Sequence, residues 1–249
     1  MIHFIKNKEL VLHAFISETN VSIYNFFPIQ YAHKFYPDWW KSLPNFDYDF
    51  ENMRPASNMR ACMGMVDLYK NSCVMPLWTD LALKWDSIGG NWAYNFADNI
   101  TSGAIHQLAQ RKGFKESHFH FKIDSPWKFL SDKNTKFHMT DLYYNFPQQK
   151  NYDVMPGVVD YYYQTATNIN ILIRPSATKL IIKNNTPLYL IKPLSERKLK
   201  LKVEVLSDKD FYIFKEKTRQ FSFYKSYSEM KKLVQKNDEE RKCPFGFGK

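Results

Sequence analysis

His118 and His120 stand two residues apart in the run "HFHFKID", with Asp124 four further on. Side chains two apart on a strand project to one face, so two imidazoles can meet one ion there. With the carboxylate beside them, and His106 or His138 completing the set, they would hold iron or another divalent metal, as an oxygenase or isomerase requires. No histidine follows His138, which deprives the pair of a distant ligand. The weightier reading makes His118 and His120 half-buried strand residues. Asp160, in "PGVVDYYY", is a second catalytic candidate. Trp39 and Trp40, between Pro37 and Pro44, can present a binding surface or clamp an extended arm, because aromatic rings bury the most area per residue. Lys231 and Lys232 place positive charge on the polar face of a C-terminal segment with helical spacing. A Gly-x-Ser-x-Gly elbow is absent, and 8 glycines are too few to write a Walker loop or a dinucleotide fingerprint. No complete catalytic set is present.

These side chains need a frame, and period-two alternation supplies one. Residues 10–15 read as a short strand. Residues 31–55 form a proline-broken, aromatic-laden arm in which long helices are unfavourable. Residues 60–69 place Cys62, Met65, Val66 and Tyr69 at helical spacing. A strand follows over 72–85, with Leu81, Leu83 and Trp85 on one face. From Ser117 the alternation is dense, at 118–123, 126–130, 137–144, 158–163, 168–174, 179–183, 188–192 and 199–205. Such segments, recurring every 8–12 residues between Pro, Asn and Ser, predict a mainly β protein: an antiparallel sandwich or distorted barrel. Helical crossovers do not separate them, which excludes a parallel βαβ sheet. The expected division is an N-terminal strand, arm and short helix over 1–72, a β core over 73–214, and a basic helical tail over 215–249 with its helix at 226–241.

With 249 residues, the chain is long enough to bury a core without staples. Its 3 cysteines fit neither a disulfide framework nor a metal-ligand spacing. The net charge of +10 is uneven: from Ser176 onward there are 18 Lys+Arg against 9 Asp+Glu, while the first 175 residues hold 17 against 16. A basic C-terminal third admits nucleic acid or an acidic protein as partner. No stretch approaches 18 apolar residues and no charged-then-apolar leader opens the chain, so neither a membrane nor a standard secretion signal is expected.

Three resemblances add expectations. Gly113, His118, His120 and Asp124 resemble the first metal motif of cupins, which implies a metal-dependent barrel enzyme. "PGVVDYYY" is loosely similar to a motif of trimeric dUTP pyrophosphatases, which implies nucleotide processing with Asp160 orienting water. The widest resemblance spans about residues 30–225, on "PDWWKSLP", "MRACMGMVDLYKNSCVMPLWTDLAL", "HQLAQ", "DSPWKF", "PGVVDYYYQTATNINILI" and "NNTPLYLIKPLSER". In that order these resemble an uncharacterised domain family of large tailed bacteriophages with bacterial relatives. That resemblance implies a phage-encoded β protein and supplies no established reaction. The aromatic arm, the alternating strands, the basic terminal region and the want of a complete catalytic set point to a non-catalytic virion component or assembly/accessory factor. Its partners would be other phage proteins or copies of itself, in the virion or the infected host cytoplasm.

Overall fold

The structure, a computed structural model, describes residues 9–86, 91–146, 150–219 and Lys232. The protein is mainly β and sandwich-like, built from several sheets that do not close into a barrel. The largest sheet joins β1 (Leu10–Ser17), β8 (Gly103–Ile105), β9 (Phe119–Ser131), β11 (Tyr152–Val154), β13 (Ala166–Ile173) and β16 (Leu199–Leu206) in the order β11-β13-β9-β1-β16, with β8 also on β9. Facing it are β2 (Gln30–Tyr31), β5 (Cys73–Pro76), β10 (Phe137–Thr140), β12 (Gly157–Val159) and β15 (Pro187–Pro193), ordered β12-β10-β15-β5-β2. A three-stranded sheet is ordered β14 (Lys179–Ile182), β6 (Leu81–Asp86), β7 (Asn91–Phe96), and a separate hairpin pairs β3 (Asp47–Asp49) with β4 (Arg54–Ala56).

Alternation decides which face goes inside. Along β9 the odd positions Phe121, Ile123, Trp127 and Phe129 are fully buried, and the even positions face outward. They meet Leu12, Ala14 and Ile16 of β1, Ile169 and Ile171 of β13, and Met75, Phe137 and Ile191 of the facing sheet in one core. Each such side chain contributes about 1.5–3 kcal/mol by leaving water, and this core holds the sandwich together. The first strand is part of the largest sheet. It lies between β9 and β16, antiparallel to the first and parallel to the second from Leu10↔Leu199 to Ser17↔Leu206. That parallel pair departs from the antiparallel rule that the other ladders follow.

The two strands expected at 118–123 and 126–130 are one strand running through Pro126. One edge of β9 pairs with β8 at 121–123 and with β1 at 128–131, and on the other edge the ladder to β13 shifts register between Ala166 and Asn168. Pro126 falls in the interval, where its missing N–H leaves no ladder bond unmade. Close approach of β8 requires Gly103, since a Cβ there would lie 2.8 Å from the Lys122 carbonyl oxygen.

The strand expected at 72–85 is divided between two sheets, β5 and β6. A helix also spans Asp208–Arg219, ahead of the segment expected to be helical. Ser207 caps it, its Oγ accepting from the Asp210 amide at 3.1 Å and donating to the Asp210 carboxylate at 2.8 Å. Ser17 and Thr19 both donate to the Asp208 carboxylate, which holds its pKa below the usual carboxylate value. Phe214 packs edge-on against Phe15, fixing the helix on the outer face of the large sheet. Residues 226–241, apart from Lys232, lie outside the described residues.

The arm is ordered by a second, smaller core. Ala32, Met65, Tyr69, Val74, Leu142 and Leu190 are buried together, with Tyr36, Trp39 and Trp40 packed on them. Helices at Asp38–Lys41 and Met63–Tyr69 flank the β3–β4 hairpin, and the helix expected over 60–69 is present as its last seven residues.

Candidate functional site

The expected metal ligands stand in different settings. His118 is in a bend ahead of β9, its amide donating to the Lys115 carbonyl at 2.8 Å and its Nδ1 lying 3.4 Å from Ser117 Oγ. His120 is on the strand and buried, on the face turned away from the core. Its ring neighbours are His106 at 6.3 Å and Phe114 at 6.2 Å between centroids. The imidazole that accompanies His120 is thus His106, whose pKa is pushed down by burial and then by His120 and Lys122. Asp124 is engaged elsewhere. Its carboxylate lies 3.0 Å from the Lys122 ammonium and accepts from Ser102 Oγ at 2.9 Å. Among the described residues no three His, Cys, Asp or Glu side chains gather to hold a metal ion. Asp124 instead lines a cavity of about 350 Å³ at the Pro126 interval, with Asn20, Trp78, Lys128 and Asn168 among its walls.

Asp160 has a structural place. It follows β12, is buried, and accepts the Tyr162 amide at 3.2 Å on Oδ1 while its carbonyl accepts from Tyr163 and Gln164. That turn swings Tyr161 into the core, where it stacks on Phe129 at 4.6 Å and its hydroxyl meets Thr167 Oγ1 at 3.0 Å. Cys73 supplies no nucleophile either, because burial pushes its thiol up to about 12 and keeps it protonated.

Trp39 and Trp40 clamp the arm. The Trp39 indole donates to the Tyr144 carbonyl at 2.8 Å, tying the arm to the segment after β10. The Trp40 indole donates to the Met59 carbonyl at 3.0 Å, and its ring stacks on Tyr36 at 4.5 Å, which in turn stacks on Tyr69 at 4.7 Å. Trp39 also lines a recess of about 460 Å³ with Phe35, Tyr36, Pro37 and Pro187. Lys231 lies outside the described residues, and Lys232 is exposed and helical.

Two features escape the sequence reading. One is a largely buried ion pair, Lys150–Asp141, whose ammonium sits 4.2 Å from the centre of the Phe146 ring and 4.5 Å from that of Tyr152. Burial lowers the Lys150 pKa although Asp141 opposes it, and burial raises the pKa of Tyr152. This is a clamp between aromatic rings.

The other is the β3–β4 hairpin. Phe46, Phe50, Met53 and Met63 are exposed to 62%, 79%, 72% and 65%, and Tyr48 and Met59 are exposed nearby. The hairpin is braced from within. Asp49 accepts from the Glu51 and Asn52 amides at 3.1 and 3.2 Å and from Asn52 Nδ2 at 2.7 Å, while Tyr48 packs edge-on against Phe50 at 5.0 Å. Its base is braced too. Arg60 donates to the Lys41 and Leu43 carbonyls, both at 2.8 Å, and Asn58 donates to the Pro44 carbonyl at 3.0 Å. The loop Phe50–Met53 closes with Met53 at φ +51°, a left-handed conformation that costs a side-chain-bearing residue roughly 1–2 kcal/mol. Glycine would remove that cost, yet the position carries an exposed apolar side chain. Apolar residues clustered on a rigid projection mark a contact surface more strongly than scattered ones do. No helix among the described residues is long and apolar enough to cross a membrane. The chain matches no protein-family model and no curated protein.

Proposed function

We propose that this is a phage-encoded, non-catalytic β-rich protein that acts through protein–protein contacts, as a virion component or an assembly/accessory factor. Its place of action is the virion or the infected host cytoplasm, and its partners are phage proteins, itself included. The observation that carries the contact reading is the braced hairpin with Phe50 and Met53 in solvent, with Phe46 exposed just before it and Met63 exposed at the start of the next helix. Interface cores enrich aromatic residues and methionine, and anchors that are rigid before binding lose little entropy on docking. The phage origin rests on the ordered resemblance over about residues 30–225.

The positions of the catalytic candidates agree with this reading. Asp160 is committed to a turn, Asp124 to Lys122 and Ser102, and Cys73 to the core. Mass spectrometry of purified particles and of assembly intermediates tests the proposal. The chain is expected there in a fixed ratio to the other components, and a Phe50→Ser/Met53→Ser variant is expected to be depleted from them. A chain never found in either preparation overturns the reading.

A further inference from the structure

We propose, resting on the reading that this protein works through protein contacts, that the hairpin's partner is a second copy of the same chain. Its β3–β4 loop seats in the recess that the first copy forms at residues 34–39, 145 and 185–187.

The two surfaces match in chemistry. The projection offers Phe50 and Met53, both largely in solvent rather than in the recess of their own chain. The recess offers Phe35, Tyr36, Pro37, Trp39 and Pro187, and its volume of about 460 Å³ falls in the range that receives ligands of drug size, roughly 300–1,000 Å³. Charge matches as well. Within a chain of net charge +10, residues 45–56 hold Asp47, Asp49 and Glu51 against one basic residue, Arg54. Asp47 and Glu51 are exposed beside the apolar side chains; the recess carries the exposed Lys34 and the carboxylate of Asp38, which Lys41 pairs at 2.9 Å, so its balance is positive. Two copies of so basic a protein repel one another at large, so their association needs a local acidic surface to meet a basic one.

Projection and recess are also neighbours on one molecule. Trp39 lines the recess, and the adjacent Trp40 holds the base of the hairpin through the Met59 carbonyl. Because one short segment carries both halves, two copies related by a twofold axis can exchange hairpins reciprocally, and every contact is made twice. Such an isologous arrangement is closed and stops at a dimer.

The test is sedimentation velocity on the full chain between about 1 and 100 µM, a span that brackets a Kd on the order of 10 µM. The expected mass rises from one chain to two and goes no higher. Phe50→Ser/Met53→Ser should remain a single chain at every concentration while unfolding at an unchanged midpoint. Lys34→Glu should weaken association several-fold, and adding Glu51→Lys should restore it, because the pair then forms with its signs exchanged. A benzophenone side chain at position 50 should cross-link between chains to peptides holding residues 34–39 or 185–187. A single chain at 100 µM, or cross-links that fall elsewhere, would overturn the proposal. If that monomer's Phe50→Ser/Met53→Ser variant is still depleted from particles, the second copy is rejected and the protein-contact reading stands. A dimer formed by a chain absent from particles and assembly intermediates rejects the assembly reading alone.

Discussion

The sandwich and the arm use the same residue types to opposite ends. In the sandwich, Trp127, Phe129 and Tyr161 are buried between facing sheets, and their rings are packing material. In the arm, Tyr36, Trp39 and Trp40 lie half in and half out, and a few residues later Phe46, Phe50 and Met53 stand in water. The hydrogen bonds differ in kind. The sandwich relies on ladders between strands, whereas the arm is held by side chains reaching backbone carbonyls, from Trp39, Trp40, Asn58 and Arg60. A ladder stabilises whatever it pairs. A set of single side-chain bonds can instead hold an apolar loop in place without burying it. The contrast teaches that aromatic content alone does not report a core, and that side-chain bracing can order a loop without burying it.

The sharpest way to break that contrast is thiol labelling. Cys73 is fully buried, with its pKa pushed up to about 12, and Cys62 is half-buried in the arm. Cys73 should react only through global unfolding, which costs about 5–15 kcal/mol in a domain of this kind, while Cys62 reacts through local opening. Peptide-resolved mass spectrometry after native maleimide treatment reads the difference, and equal rates would deny the arm its separate status. Next in size, Trp127→Ala should lower stability by about 3–5 kcal/mol in denaturant titration, through lost transfer energy and the cavity it leaves. Asp141→Ala should cost about 2 kcal/mol. That is below the 3–5 kcal/mol of a fully buried pair, because the Lys150 and Asp141 side chains keep 14% and 18% of their exposure. Trp39→Phe keeps the ring but removes the donor to the Tyr144 carbonyl, and should cost about 1 kcal/mol, measured in the same titration.

Much of the sandwich was legible because alternation is a local signal. Residues 168–174, 188–192 and 199–205 coincide closely with β13, β15 and β16. Partners were not legible. The parallel pairing of β1 with β16 joins the two ends of the described chain, and no local pattern encodes it. Pro126 misled as a strand breaker because its tolerance depends on the partner strands leaving the same interval unpaired. The helix at Asp208–Arg219 did carry a signal, Ser207 followed three residues later by Asp210, which the denser charge run downstream obscured. His118 and His120 were expected on one strand, and the strand starts at Phe119, one residue after His118. In the hairpin, Phe46, Tyr48 and Phe50 alternate with Asp47, Asp49 and Glu51, yet sequence alone does not say that the apolar face of such a strand lacks a cover.

The smallest expected effect on folding carries the largest consequence for function. Phe46, Phe50, Met53 and Met63 can be replaced together by serine, and both the unfolding midpoint and the association of the full chain measured on one preparation. If the hairpin is a contact surface, the four exposed side chains contribute within about 0.5 kcal/mol each to folding, so the midpoint holds while association is lost. A midpoint shift equivalent to a loss of several kcal/mol, or association that survives intact, would place those residues in the fold and contradict the account.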